Sequence, residues 1–368
     1  MKKLLLGIAA VCLAGFTFAQ DAPLWMRHSV ISPDGTTIAF TYKGDIYTVP
    51  VAGGRAMQIT TNPAYDTAPV WSPDSKRIAF ASDRMGSLDV YIVAKDGGEP
   101  RRLTTHSGSE TPLAFTDAGH VLFSAGIMPS AEAVVFPSNG QFNQVYRVSV
   151  EGGRPTMISS MPMECISINK EGAMLYQDKK GYEDYWRKHH VSPIARDIWM
   201  YTPGKEPQYR QLTTFGGEDR EPVWAPDGKT FYYLSEENGS FNIYRRTPGD
   251  AKAVQLTHYT KNPVRYLSAA TDGRLCYGFD GEIYTLLPGG EAQNRGGETA
   301  GLKMREFFIG NTEKTLANPL QKVYNLLSAR LRVAVPRKWQ CLRMVRKWLS
   351  FCAAMSTSLQ WNIRLRSR

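Results

Sequence analysis

The sequence predicts an all-β fold, a six-bladed β-propeller of four-stranded blades, either a complete or an incomplete ring. Two observations support this prediction: a segment recurs six times between residues 30 and 293, and each copy alternates apolar and polar residues with the period of a strand. An acidic residue occupies the same turn of every copy, at Asp34, Asp74, Asp117, Glu171, Asp227 and Asp272. Of the successive intervals of 40, 43, 54, 56 and 45 residues, three match the period of propeller blades and the two longer ones indicate insertions.

The second copy, which begins at Pro69, shows how one blade is assembled. A short apolar strand, PVW, leads into the turn SPDS, where proline presets φ and aspartate can bind the backbone. The run RIAFA follows, and a polar turn around Gly86 reverses the chain into DVYIV. A DGG turn then leads into RRLT. Trp71 and the equivalent Trp224 are expected to pack between blades.

Two copies are longer than the others because they contain insertions, at residues 126–142 and 179–197. Insertions of this length in a propeller are typical of surface loops. The second insertion is aromatic and charged, and we expect Trp186, His189, His190 and Trp199 to contact a partner. The histidine pair lies near acidic residues but lacks metal-ligand spacing, so we expect no metal there.

The two ends of the chain differ from the repeats. Residues 1–19 resemble a secretory signal peptide, with Lys2 and Lys3 before an apolar run and a cleavage site near Ala19, which predicts a periplasmic or secreted protein. No run of about 20 apolar residues predicts a membrane insertion. Residues 20–293 form the predicted propeller, and residues 294–368 form a basic tail.

The net charge of +10 belongs entirely to that tail. Residues 294–368 hold 15 basic and 3 acidic residues, or +12, which leaves −2 for residues 1–293. The propeller is therefore not predicted to bind nucleic acid. The tail is interpreted as a basic arm, a small helical domain or an out-of-frame translation. A one-nucleotide shift can convert residues 340–359 into the blade-like string AVSPDGKEVAFVLRGDVYVTS, so we favour an out-of-frame, irregular tail without an evolved fold.

Neither the motifs nor the cysteines of the sequence predict a catalytic or metal-binding site. The sequence contains no Gly-x-Ser-x-Gly motif to nominate a nucleophilic serine and no Cys-x-x-Cys pair. We therefore expect no catalytic residue, no cofactor and no metal.

The repeat order W-S-P-D-G, I-A-F, D-I-Y, G-G and R-L-T resembles the repeats of TolB-type propellers. The stretch GYEDYWRKHHVSPIARDIWMY, from Gly181 to Tyr201, further resembles a blade insertion of bacterial tricorn-protease homologues. That resemblance implies a non-catalytic propeller that admits or directs peptides, while later PDZ and serine-peptidase domains, absent from this chain, perform catalysis. Two alternatives remain: a free-standing TolB-like module that binds a protein partner at a propeller face, and the propeller of a prolyl-oligopeptidase-like hydrolase.

Overall fold

The computed structural model describes residues 25–126, 143–181 and 191–288, and the backbone of four short strands between residues 294 and 309. Within these residues every regular element is a strand, and the strands form six sheets, each built on four antiparallel strands that are consecutive in all sheets but the last. These sheets are the blades of a propeller, which confirms the predicted fold class.

The first three blades follow the repeat copies in order. Blade 1 consists of β1 (Arg27–Ile31), β2 (Thr37–Tyr42), β3 (Asp45–Pro50) and β4 (Gly54–Gln58). Blade 2 consists of β5 (Asp66–Trp71), β6 (Arg77–Ser82), β7 (Asp89–Ala94) and β8 (Arg101–Arg102). Blade 3 consists of β9 (Glu110–Asp117), β10 (His120–Ala125), β11 (Gln144–Ser149) and β12 (Thr156–Ser159).

The last three blades repeat the same plan. Blade 4 consists of β13 (Met163–Ile168), β14 (Met174–Asp178), β15 (Ile198–Thr202) and β16 (Gln208–Gln211). Blade 5 consists of β17 (Asp219–Trp224), β18 (Phe231–Ser235), β19 (Asn242–Arg246) and β20 (Val254–Gln255). Blade 6 consists of β21 (Arg265–Ala269), β22 (Leu275–Phe279), β23 (Glu282–Leu286) and β26 (Leu302–Lys303), after the small hairpin of β24 (Asn294–Arg295) and β25 (Glu298–Thr299).

The first strand of each blade lies innermost, and these six strands form a closed ring. Each one contacts the first strand of the next blade, and β21 contacts β1. The Ile31 amide donates to Ser268 Oγ at 3.1 Å, and the Thr271 amide donates to the Pro33 carbonyl at 2.9 Å. Side chains from both blades share one apolar cluster, which includes Met26, Ile31 and Cys276. The ring is therefore complete, and it closes by packing of the first blade on the last.

The recurring sequence motifs each have a structural role. Phe40 of the I-A-F motif lies directly opposite Tyr47 of the D-I-Y motif, and the two rings stack 5.8 Å apart. Trp71 packs into the cluster between blades 1 and 2, and its Nε1 donates to the Val30 carbonyl at 3.0 Å. The motifs thus supply the buried aromatic surface on which the ring depends.

Side-chain hydrogen bonds fix the turns and the outer strands. The Asp34 carboxylate accepts the Thr36 amide at 3.0 Å, and Ser32 Oγ accepts the Thr37 amide at 3.0 Å, an arrangement repeated at the Ser72–Asp74 turn. The threonine of the R-L-T motif reaches across the blade, because Thr60 Oγ1 accepts the Ile46 amide at 3.0 Å.

The six blades belong to one compact unit, formed by Met1–Thr60 and Tyr65–Gly310. A second unit comprises Thr61–Ala64 and Asn311–Arg368, of which only the first four residues are described. The fourth strand of blade 6, β26, comes after the boundary predicted at Gln293. One further strand, β27 (Phe307–Ile309), pairs in parallel with β4 of blade 1.

Candidate functional site at the central channel

Every inner strand contains an irregularity in its pairing with the second strand of its blade. In five blades a non-glycine residue at this bulge has a left-handed backbone, with φ between 50° and 58°. These residues are His28, Ala68, Cys165, Glu221 and Tyr266. Bulges redirect side chains, and such strained conformations concentrate at functional sites. Because the inner strands form the ring, the five residues occupy equivalent places along the central channel.

These residues are partly accessible to solvent, as expected for the wall of a narrow channel. Cys165 is exposed to solvent, and His28 and Tyr266 are half-buried. Protein atoms nevertheless surround them closely. The resulting desolvation is the main cause that raises the pKa of the Cys165 thiol. Desolvation, followed by the charge of Arg27, also lowers the pKa of His28 to about 4. His28 is therefore neutral at neutral pH.

The residue before the bulge defines a basic side of the channel. It is arginine in three consecutive blades, at Arg220, Arg265 and Arg27. In blades 2 and 3 the corresponding residues are Thr67 and Thr111, and in blade 4 the corresponding residue is Glu164. Comparison of the six copies at this position alone would have identified the basic side, a signal that the sequence analysis missed.

Tyr266 stands at the centre of the basic side. Its ring lies 5.0 Å from that of His28, and His28 Nδ1 is 3.1 Å from Thr67 Oγ1. The pKa of Tyr266 is raised first by burial and then by the charge of Glu221, whereas Arg265 and Arg27 oppose the increase. Both guanidinium groups therefore act on the phenol from within electrostatic range.

A network of ion pairs continues the channel wall across blades 4 and 5. Arg196 donates from Nε to Glu164 at 3.1 Å and from Nη1 to Glu218 at 3.2 Å, and Arg220 also pairs with Glu218. Arg196, Glu218 and Arg220 are buried, so removal of one partner would leave an uncompensated charge. A bond from the Glu221 amide to Gln177 Oε1 at 3.0 Å joins the same two blades. The network makes this part of the wall rigid.

The same network anchors the insertion of blade 4. Lys180 pairs with Asp197 and donates to the Ala195 carbonyl at 2.8 Å, which joins the two ends of the insertion. Lys179 lies 3.2 Å from Glu164. The insertion thus begins and ends beside the channel wall.

Only one of the four residues predicted to contact a partner can be placed. Trp199 lies in β15 between Tyr176 and Gln211 of the neighbouring strands, and its Nε1 donates to Asp178 Oδ2 at 3.1 Å. It is half-buried in the apolar cluster of blades 3 and 4. Trp186, His189 and His190 lie outside the described residues. Their contact with a partner stays a prediction.

Outside the channel, the described residues form neither a metal site nor a membrane-spanning helix, but they do form a cavity. No group of three or more His, Cys, Asp or Glu side chains within them is suited to a metal ion. A cavity of about 520 Å³ in blade 5 is lined by Asp227 of the turn after β17, Tyr232 of β18, Arg245 of β19 and Lys252 of the loop before β20, and it presents charges of both signs. No helix among the described residues is long and apolar enough to cross a membrane.

The closed ring and its bulged channel wall define a six-bladed propeller with a channel lined by polar residues. Residues 23–292 match the family described as the tricorn protease N-terminal beta propeller domain. The chain therefore belongs to this family, which confirms the resemblance seen in the repeats.

Individual relatives agree with this assignment. Tricorn protease homolog 1 of Streptomyces coelicolor is 26% identical over 268 residues, which cover 72% of this chain and 24% of that protein. The tricorn protease homolog of Saccharolobus solfataricus is 23% identical, with the same coverages. The chain thus spans about a quarter of the length of these curated relatives.

The solved structures agree at the level of the fold. The crystal structure of the tricorn protease superposes with a TM-score of 0.60 at 19% identity, over 72% of this chain and 25% of that one. TolB from Acinetobacter baumannii superposes with a TM-score of 0.51 at 14% identity, over 77% of this chain and 65% of that one.

Proposed function

We propose that this propeller is a non-catalytic module that admits or directs peptide substrate through its channel in a tricorn-like peptidase system. The single observation that carries the proposal is the series of bulged residues along the channel in five of the six blades, of which all but the buried Glu221 are at least partly accessible to solvent. The family supports it, because the matched part of the tricorn homologues is a propeller and not a peptidase domain. Export to the periplasm, inferred from residues 1–19, belongs to the same proposal.

A peptide is the appropriate ligand for such a wall because an extended chain needs polar partners along its whole length. The channel offers carboxylate, guanidinium, phenol and imidazole groups from consecutive blades, and the ion-pair network holds part of them in fixed positions. Preorganised groups of this kind reduce the cost of ordering a flexible ligand.

The exposed thiol of Cys165 provides a test. Alkylation with a bulky maleimide, at alkaline pH because the pKa of the thiol is raised, places a plug in the channel. Binding of fluorescent unfolded peptides, measured by anisotropy, should then fall at least about tenfold. The Cys165→Ser variant, treated identically, should keep its binding, because it lacks the channel thiol to which the plug is attached.

Two outcomes would contradict the proposal. If alkylated protein binds peptides as well as untreated protein, the peptides do not use the channel. If unfolded peptides do not bind at all and a folded envelope protein does, the free-standing TolB-like interaction module becomes the better description.

A further inference from the structure

The cavity of blade 5 lies at the end of the sheet away from the channel bulge. Arg220 and Glu221 of the channel wall are near the start of β17, whereas the cavity begins after its last residue, Trp224. None of the bulged channel residues lines the cavity. Its volume of about 520 Å³ is within the usual range of small-molecule sites. A ligand bound there would leave the channel free.

The hydroxyl of Tyr232 is a buried polar group of the cavity wall. Tyr232 is 6% exposed, and within the described part of the chain its hydroxyl has no hydrogen-bond partner. The oxygen is nevertheless not completely enclosed by protein atoms, so it faces the cavity that the side chain lines. Burial raises the pKa of Tyr232. The phenol therefore stays protonated at neutral pH and can donate a hydrogen bond to a ligand.

Arg245 lies directly opposite Tyr232 in the register of β18 and β19, so both side chains project from the same face of the sheet. Arg245 is exposed, and no ion pair within the described residues involves it. Its charge opposes the increase that burial causes in the pKa of Tyr232, so the guanidinium lies within electrostatic range of the phenol. A hydroxyl donor and a planar guanidinium thus face the same space.

The equivalent cross-strand pairs of the other blades show that the fold does not require this combination. In blade 2 the pair is Ala79 and Ile92, and both are buried in the apolar cluster between blades 2 and 3. The pairs of the other four blades also lack a tyrosine opposite an arginine: Ala39–Thr48, Leu122–Arg147, Leu175–Met200 and Cys276–Thr285. Blade 5 therefore has two polar groups where blade 2 packs apolar side chains. Such departures from the packing pattern are typical of functional positions.

Local hydrogen bonds already occupy two charged groups of the wall. The Asp227 carboxylate accepts the amides of Lys229 and Thr230 at 2.9 and 2.8 Å, and the Thr230 hydroxyl at 2.8 Å. Arg246 donates from Nε and Nη2 to the Asp250 carbonyl at 2.9 and 2.7 Å. These bonds fix the turn and the loop that frame the cavity.

The side chains that line the cavity carry an excess of positive charge. Arg245 and Lys252 are exposed and form no ion pair within the described residues. With Arg246 they make three basic groups, against the two acidic groups of Asp227 and Asp250, which gives a formal charge of +1. One carboxylate would balance that charge, whereas a phosphate group with almost two negative charges would exceed it.

We propose that the Tyr232 hydroxyl and the Arg245 guanidinium bind the carboxylate of a small organic acid in this cavity. The planar fork of arginine matches the two oxygens of a carboxylate, and the phenol supplies a further donor. Lys252 adds positive charge to the same wall. The inference goes beyond the proposed function, because the cavity lies outside the channel and its ligand is not a peptide in transit.

The test compares N-acetylglycine, its neutral amide N-acetylglycinamide, and inorganic phosphate. Binding to the full chain is measured by ligand-observed NMR titration at low and high salt. At low salt we expect N-acetylglycine to bind about tenfold more tightly than its amide, and more tightly than phosphate. The difference between the acid and the amide should shrink at high salt.

Two variants and one matched control locate the effect. Tyr232→Phe and Arg245→Gln should each weaken the binding of N-acetylglycine by about threefold to tenfold. Arg147→Gln removes the same charge from the equivalent position of blade 3, where the exposed arginine lies opposite Leu122, and should leave binding unchanged. Thermal unfolding verifies that each variant is folded.

Three outcomes would overturn this inference. Equal binding of N-acetylglycine and its amide, or tighter binding of phosphate, would show that the cavity does not select a carboxylate. An equal loss in Arg245→Gln and Arg147→Gln would mean that overall charge is responsible. Loss of N-acetylglycine binding after alkylation of Cys165 would place the acid in the channel, whereas unchanged binding supports a separate site and leaves the peptide proposal to its own test.

Discussion

Blade 2 and blade 5 share the same sequence motifs, and the shared residues perform the same tasks in both. Trp71 and Trp224 each donate from Nε1 to a carbonyl of the preceding blade, at 3.0 Å to Val30 and 3.2 Å to Ala173. The inner strand of each blade begins with a buried aspartate, Asp66 or Asp219. These residues stabilise the blade itself, and the fold therefore explains why both blades have the same residue types at these positions.

The two blades differ at the positions that face the channel and the loop above it. Thr67 and Ala68 of blade 2 correspond to Arg220 and Glu221 of blade 5. In the following loop Arg84 pairs with Asp66 at 2.9 Å, whereas Glu237 is a negative charge near Asp219. A repeat can thus keep its packing residues constant while individual blades acquire different chemistry at two or three positions.

If the shared tryptophans have one role, their removal should cost the same in both blades. Trp71→Ala and Trp224→Ala should each destabilise the protein by about 3–5 kcal/mol, because each deletes a large buried ring between two blades. Denaturant unfolding at equilibrium measures this loss. Trp25→Ala is the control, since Trp25 is 75% exposed, and should change stability by less than about 0.5 kcal/mol. A difference of several kcal/mol between Trp71→Ala and Trp224→Ala would show that the blades are not equivalent in packing.

The buried aspartates of the two blades, Asp219 and Asp66, should make different contributions to the pH dependence of stability. Burial, the largest cause, raises the pKa of Asp219 to about 7, and the charges of Asp197 and Glu237 add to the increase. The folded state therefore binds more protons than the unfolded state between about pH 4 and pH 7, and stability falls as the pH rises through that window. Asp219→Asn should remove this loss, with a gain over wild type on the order of 4 kcal/mol at pH 8 compared with pH 4.

Asp66→Asn is the matched variant for blade 2. Burial also raises the pKa of Asp66, but Arg84 opposes the increase, so the pH-dependent gain should be smaller. Chemical denaturation of both variants at several pH values provides the comparison. Equal pH dependence in the two variants would mean that Arg84 and Glu237 do not set the difference.

The sequence predicted the blades and missed the chemistry of the channel for a physical reason. Turn residues such as Asp34 and pairs such as Phe40 and Tyr47 interact locally, within or between adjacent strands, so periodic spacing reveals them. A bulge at Ala68 or Tyr266 depends on the register of two strands inside a closed ring, which no local pattern encodes. The sequence therefore directs attention to the conspicuous insertion, whereas the bulged residues of β1 and β21 become neighbours only when the ring closes.

The smallest effect concerns the backbone of the bulge itself. Ala68 has φ 52° and Glu221 has φ 50°, a region that costs a residue with a Cβ about 1–2 kcal/mol. Ala68→Gly relieves this strain, and after the entropy cost of glycine in the unfolded chain we expect a gain of about 0.5 kcal/mol by thermal unfolding. Glu221→Gly relieves the same strain but leaves the buried Leu267 amide without its acceptor, at a cost of about 1–3 kcal/mol. The two variants should therefore shift stability in opposite directions, and stabilisation of both would mean that the bulge strain, rather than the carboxylate, dominates at blade 5.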